Sequence, residues 1–256
     1  MNRHGGSLGH CVLPPVVAAL LAVSVAAPAA TSPTVDEIVA RYVAARGGMQ
    51  KIRSIQTLRQ KGHLTTGANR LALVTRELKR PGRIRFEFTV QGVTGVYVSD
   101  GLNGWQVSPF DGSADPKPLP DEVVKEAAEQ ADLEGPLVDW EAKGHQAELV
   151  GRELVAGREA YKVKLTLKSG AVRYEYLDVK TLRLVRTDST RQFRGYPVQL
   201  VTTYGDYKKV GGVLFPRWVE VEAVGRPQRT RIVVDEVEVN PPLSDARFEM
   251  PVPAQP

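Results

Sequence analysis

The chain has 256 residues and a formal charge of only +5, and it holds one cysteine and four histidines among 23 glycines and 18 prolines. That inventory leaves a transition-metal site short of ligands and rules out an intrachain disulfide. No phosphate loop of the G-x-x-x-x-G-K-[ST] type, G-x-G-x-x-G fingerprint, G-x-S-x-G elbow or nucleic-acid recognition motif occurs, which disfavours nucleotide enzymes and nucleic-acid binding.

Arg3 is the only lysine, arginine, aspartate or glutamate before Asp36, and the apolar run Val12 to Ala27 lies between them, followed by Ala27-Pro28-Ala29. This is the composition of a secretory signal peptide. Pro14, Pro15 and the shortness of the run argue against a spanning helix, and no later stretch approaches the roughly 20 apolar residues that spanning needs. Proline is poorly tolerated as the first mature residue, so cleavage is expected after Ala29. Residues 1–29 are then the signal peptide, and residues 30–256 form a single domain with 33 basic and 29 acidic residues. Cys11 precedes the apolar run and follows His10, where lipoprotein processing requires a small residue, so lipidation is not expected. The exported domain has no thiol and must be held by its core alone.

Thr34-Val35-Asp36-Glu37 has the spacing of a capping box. Ile38, Val39, Tyr42 and Val43 form one apolar face of the helix it opens, and Gly47-Gly48 ends that helix. From Leu58 to Val239 amphipathic strands alternate with glycine, proline or Asp-Gly turns. Tyr161 to Lys168 alternates without a break, Ser169-Gly170 reverses the chain, the segment with Val172, Tyr174 and Tyr176 resumes the alternation, and Lys180-Thr181 turns it again. Such hairpins describe an antiparallel sheet rather than strand-helix-strand units. The proline-rich stretch Pro109 to Pro120 reads as a loop. After it, Asp121 and Glu122 suit a helix N-terminus, and Val123, Val124, Ala127, Ala128 and Ala131 form a stripe. Gly135-Pro136 interrupts that helix, and Leu137 and Trp140 suggest a further helical turn. The outline is a helix, about five strands, a helical insertion and about seven strands.

Residues that carry chemistry are sparse. His63 and His145 are the histidines left after residue 29, and they are far apart. Asp235, Glu236 and Glu238 cluster near the last strand, but acids alternating along a strand are usually a solvated face rather than a glycosidase pair. The basic groups Lys79-Arg80-Arg83-Arg85, Arg183-Arg186-Arg191-Arg194 and Arg226-Arg229-Arg231 also alternate with apolar positions, as a wet sheet face would. No catalytic residue, metal or cofactor is therefore expected, and the protein is read as a non-enzyme.

The apolar faces say more. Ile84, Phe86, Phe88 and Val90 share one strand face and Tyr161, Val163, Leu165 and Leu167 another; with Tyr174 and Tyr176 they could line one continuous surface. Helices could pack flat on it as a filled core. Alternatively, a strongly curved sheet could meet too few helices and leave a ligand cavity. Periodicity leaves both open.

From Thr34 to Pro251 the chain resembles the periplasmic lipoprotein-carrier superfamily, the LolA/LolB-like outer-membrane lipoprotein-sorting proteins. The landmarks are Ala45-Arg46-Gly47-Gly48, Lys79-Arg80-Pro81-Gly82-Arg83-Ile84-Arg85, Asp100-Gly101 with Gly104-Trp105, Tyr204-Gly205-Asp206-Tyr207, Val210-Gly211-Gly212 leading to Phe215-Pro216, and a closing Phe248-Glu249-Met250-Pro251. The resemblance implies a mainly β (α+β) fold, a curved, antiparallel, unclosed β-barrel whose concave face is covered by helices. It also implies an apolar cavity for the acyl chains of lipids or lipoproteins, a lid from Val123 to Trp140 (Val123, Val124, Ala127, Leu137, Trp140), and a soluble periplasmic carrier. Expected partners are those acyl chains and an envelope transporter or acceptor protein, with transient membrane contact only and no nucleic acid. The alternative reading is a periplasmic sensor or scaffold that binds another envelope protein.

Overall fold

The computed structural model describes Met1 and residues 32–66, 69–193, 195–226 and 228–251. The expected signal peptide beyond Met1, with Cys11 and the Ala27-Pro28-Ala29 site, lies outside the described residues, as does Arg194. The chain divides into two units, Met1–Ser32 and Pro33–Pro256, and the second carries all the elements below.

Helix α1 (Val35–Arg46) begins with the expected capping box: the Glu37 amide donates to the Thr34 hydroxyl at 3.2 Å, and the Thr34 amide donates to the Glu37 carboxylate at 2.9 Å. Two orphan donors are thereby satisfied by side chains three positions apart. Gly47, at φ 128°, closes α1, and a side chain there would collide with the carbonyl of Gly212. Two glycine landmarks distant in sequence thus meet because the backbones must nearly touch. The short α2 (Met49–Arg53) follows.

Among the described residues, thirteen strands form one antiparallel sheet: β1 (Thr57–Thr66), β2 (Asn69–Lys79), β3 (Arg83–Val90), β4 (Val93–Ser99), β5 (Gly104–Ser108), β6 (Ser113–Pro118), β7 (Gln146–Val155), β8 (Arg158–Thr166), β9 (Val172–Asp178), β10 (Leu184–Phe193), β11 (Tyr196–Val210), β12 (Val213–Ala223) and β13 (Arg229–Val239). Their order across the sheet is β6-β5-β4-β3-β2-β1-β13-β12-β11-β10-β9-β8-β7. The first and last strands pair at the centre and the two edges stay apart, so the barrel is unclosed. Helix α3 (Asp121–Gln130) sits between β6 and β7 in the chain. Six strands, not five, precede it, because β6 lies inside the stretch that reads as a loop. Pro116 and Pro118 are accommodated because β6 is an edge strand, where a missing N–H need not break a ladder.

The curvature follows from what α3 touches. β4 and β10 lie seven strand spacings apart in the sheet order, about 34 Å if the sheet were flat. Yet Tyr97 on β4 donates to the side chain of Gln130, and Arg191 on β10 pairs with Glu126. One turn of helix, about 6 Å, separates those two residues. The sheet is therefore strongly bent, with α3 across its concavity.

Two apolar clusters stabilise it. The larger one packs α1, Ile52 and the turns around Ala131, Leu133, Leu137 and Val138 against the inner faces of β8 and neighbouring strands. The smaller lies on the outer face, where Val98 and Trp105 are covered by Leu243 and Phe248; the Gly104-Trp105 and Phe248 landmarks thus belong to one contact. No helix among the described residues is long and apolar enough to cross a membrane.

Candidate functional site

Between the concave face and α3 lies a cavity of about 700 Å³. Strand pairing shows which side chains reach it, because directly opposed residues share a face. Leu58 pairs with Leu78, Gly62 with Val74, Thr202 with Val221, and Val219 with Ile232. All line the cavity, together with Leu184, Leu200, Phe215 and Val234. The wall is mostly apolar on β2 and β11–β13; Leu58, Val74, Leu78, Phe215 and Val234 are buried, whereas Leu184, Leu200, Val219, Val221 and Ile232 are only half-buried.

Polar groups interrupt this wall at defined places. Glu175 is 1% exposed; Arg173 lies 2.6 Å from its carboxylate, and the Thr187 hydroxyl donates to it at 2.9 Å. Burial works against charge on Arg173, but the Glu175 carboxylate, together with Tyr204 and Glu129, holds the guanidinium pKa above its usual value. The Tyr204 hydroxyl sits 3.2 Å from Thr187, and burial pushes its pKa up to about 12, so it remains a neutral phenol. Burial likewise raises Tyr207, whose hydroxyl donates to the Leu184 carbonyl at 2.5 Å. On the other wall Arg76 donates to the Gln60 side chain at 3.3 Å and to the Gln130 carbonyl, at the end of α3, at 2.5 Å.

The roof is tied down by polar contacts. Besides Arg76 and Tyr97, Arg191 reaches Glu126 at 3.1 Å and the Ser169 hydroxyl donates to Glu129 at 3.2 Å. The segment after α3 is held differently. Arg46 donates to the Glu134 carbonyl, Arg80 pairs with the Glu134 carboxylate at 2.9 Å, and Leu137 and Val138 are buried in the core.

The sequence-predicted residues distribute unevenly around this space. Phe86 and Leu167 line the cavity, and so does Leu137 of the lid set. Ile84, Tyr161, Val163 and Leu165 do share the concave side, but they are buried in the packed core beneath the helices. Phe88 stacks on Phe110 with centroids 5.3 Å apart, and Val90 pairs with Val93 at a hairpin end. Tyr174 and Tyr176 require a correction: they pair with Lys164 and Lys162, so they occupy the outer face, opposite to Val163 and Leu165. The Lys162 ammonium lies 5.0 and 5.4 Å from their rings. In the lid, Val123 is exposed, Val124 crowds Gly104, Ala127 is buried in the main core, and Trp140 packs against that core.

Several lining residues escaped the sequence reading, notably Gln60, Arg76, Tyr204, Val219, Val221 and Ile232. A signal existed for two of them. The concave rows Leu58-Gln60-Gly62 and Val74-Arg76-Leu78 carry a polar residue where alternation calls for an apolar one.

The residues considered for catalysis lie elsewhere. His63 is 2.8 Å from Asp235, Glu236 pairs with Lys61, and Glu238 with Arg59 and Lys61. His145 accepts from the Lys168 amide, and burial, then Lys143, hold its pKa below the usual value. Among the described residues no group of three or more histidine, cysteine, aspartate or glutamate side chains is placed to hold a metal.

No protein-family model and no curated protein sequence matches this chain. Solved structures do. A DUF1329 family protein from Desulfovibrio piger matches with a TM-score of 0.59 at 17% identity over 85% of this chain and 98% of that one. A LolA superfamily protein from Nitrosomonas europaea matches with a TM-score of 0.59 at 12% identity over 85% and 98%. An outer membrane lipoprotein-sorting protein domain from Vibrio parahaemolyticus matches with a TM-score of 0.57 at 12% identity over 84% and 95%. The fold is thus the one found in LolA superfamily proteins, as the landmarks implied.

Proposed function

We propose that this protein is an exported periplasmic carrier that takes the acyl chains of lipids or lipoproteins into the cavity beneath α3 and moves them between sites in the envelope. The observation that carries this reading is the cavity itself: about 700 Å³ lies within the range of roughly 300–1,000 Å³ typical of small-molecule sites. Its walls on β11–β13 are largely apolar, which favours hydrocarbon over a polar metabolite. The roof suits loading and release. Only Val124 and Ala127 of α3 are buried, so lifting the helix exposes little apolar surface and needs mainly the exchange of polar contacts for water.

On this reading no side chain performs covalent chemistry and no cofactor is needed. The signal peptide delivers residues 30–256 to the periplasm without a lipid anchor, and membrane contact is transient, at loading from a transporter and at delivery to an acceptor. Organic extraction of the protein isolated from its own envelope, followed by mass spectrometry, tests the proposal. Acyl-chain species in near-stoichiometric amount are expected, on a polypeptide whose intact mass begins at Ala30. A preparation that yields a stoichiometric protein partner and no lipid would overturn it in favour of a scaffold.

A further inference from the structure

Arg76 is the anomaly of the cavity wall. It stands on the concave row of β2 between Val74 and Leu78, directly opposite Phe86 on β3 and Gln60 on β1. A guanidinium in that setting is costly unless its charge is met. Among the other cavity arginines, Arg173 has Glu175 and Arg191 has Glu126, and Arg183 is exposed; Arg46 also lacks a carboxylate, but it stands in the last turn of α1, over the ring of Tyr42 and bound to the Glu134 carbonyl, rather than on the apolar strand wall. Arg76 donates to two neutral acceptors, the Gln60 side chain and the Gln130 carbonyl. The second offers only the partial negative charge of a helix end, about half a unit.

Its other neighbours cannot supply the balance. Tyr97 and Tyr204 act on Arg76 electrostatically, but burial raises the pKa of both and keeps them neutral. Burial also presses the Arg76 pKa down, yet an arginine remains charged at any ordinary pH. On its largely apolar β2 wall the cavity therefore presents, in Arg76, a cation that has no carboxylate counterpart among the described residues.

We propose that Arg76 anchors an anionic head group, so that the cargo is an amphiphile joining an acyl chain to a carboxylate or phosphate rather than a neutral lipid. The guanidinium takes the head through its paired N–H donors, and the chain runs along Val74, Val219, Val221 and Ile232. This rests on the carrier reading and narrows it to a chemical class.

The test is equilibrium binding of labelled palmitate, hexadecyl phosphate and hexadecanol to the purified, delipidated protein. The three probes share a chain length and differ in the head. At least one anionic probe should bind about tenfold or more tightly than the alcohol, the scale of a hydrogen bond to a charged group, and the two anions distinguish a carboxylate source from a phosphate one. Arg76→Gln should bring the anion-to-alcohol ratio to about one, whereas Arg76→Lys should keep a clear preference. Equal binding of all three probes by the unmodified protein would overturn the Arg76 assignment and leave the carrier reading standing, as would a ratio that survives Arg76→Gln. Failure to bind any of the three would overturn both.

Discussion

Two stretches of the concave face obey the same alternation and meet different fates. On β8, Tyr161, Val163 and Leu165 are 3%, 0% and 0% exposed, sealed in the main core. On β12 and β13, Val219, Val221 and Ile232 are only half-buried and face the cavity. Residue type does not separate them, since both rows are branched or aromatic and both strands are long. The difference lies in what is opposite. α1 and the turns near Leu137 and Val138 fill the space over the first row, while the second row looks across to α3, whose cavity-facing residues include Glu122, Lys125, Glu126 and Glu129. A charged helix face cannot pack onto a greasy strand, so the gap stays open.

If that contrast is right, substitutions in the first row should cost stability, while enlargement in the second row should cost binding. Leu165→Ala removes a fully buried side chain from a packed site, and a loss of about 2–5 kcal/mol is expected from denaturant unfolding. Leu165→Trp should also destabilise, by roughly 1–3 kcal/mol, through overpacking. Val221→Trp should leave unfolding nearly unchanged, because its bulk enters the cavity. Binding of an acyl probe should instead weaken, roughly tenfold if two methylenes are kept out at about 0.8 kcal/mol each. A destabilised Val221→Trp with unchanged probe binding would show that the second row is also core.

The same contrast explains what was legible in the sequence. The capping box at Thr34 and Glu37 and the reversal at Ser169-Gly170 depend on a few adjacent residues, and they could be read directly. So could the strand and helix order, apart from the short α2 and from β6, where prolines that forbid a central strand are harmless at an edge. The relation between neighbouring strands was less accessible. Alternation fixes the two faces within one strand, but the turn from Leu167 to Ala171 sets the phase of the next. It puts Arg173 opposite Leu165 and sends Tyr174 and Tyr176 outward, since a shift of one residue exchanges the faces. Least accessible was the choice between core and cavity, because it depends on side chains that approach from a helix distant in sequence. The polar interruptions Gln60 and Arg76 were the local trace of it.

The smallest expected effect separates the two parts of the covering layer. Residues 133–138 are anchored by buried Leu133, Leu137 and Val138, whereas α3 buries only Val124 and Ala127 and reaches β10 through the Arg191–Glu126 pair at 3.1 Å. Both partners are more than a third or close to a third exposed, at 39% and 33%, so solvent screening limits the pair to about 0.2–1 kcal/mol. Glu126→Gln should therefore barely change global unfolding. Local opening is another matter, because a helix held by a few polar contacts opens from a shallow well, where even about 0.7 kcal/mol raises the open population roughly threefold. Amide hydrogen exchange should show α3 less protected than residues 137–138 in the unmodified protein, and faster still in Glu126→Gln, with no change at residues 137–138. Arg191→Gln should do the same, and the double variant should add little to either single one, since both remove one interaction. Equal protection of the two segments, or acceleration spread evenly over both, would mean that the layer moves as one body and that α3 is no separate lid.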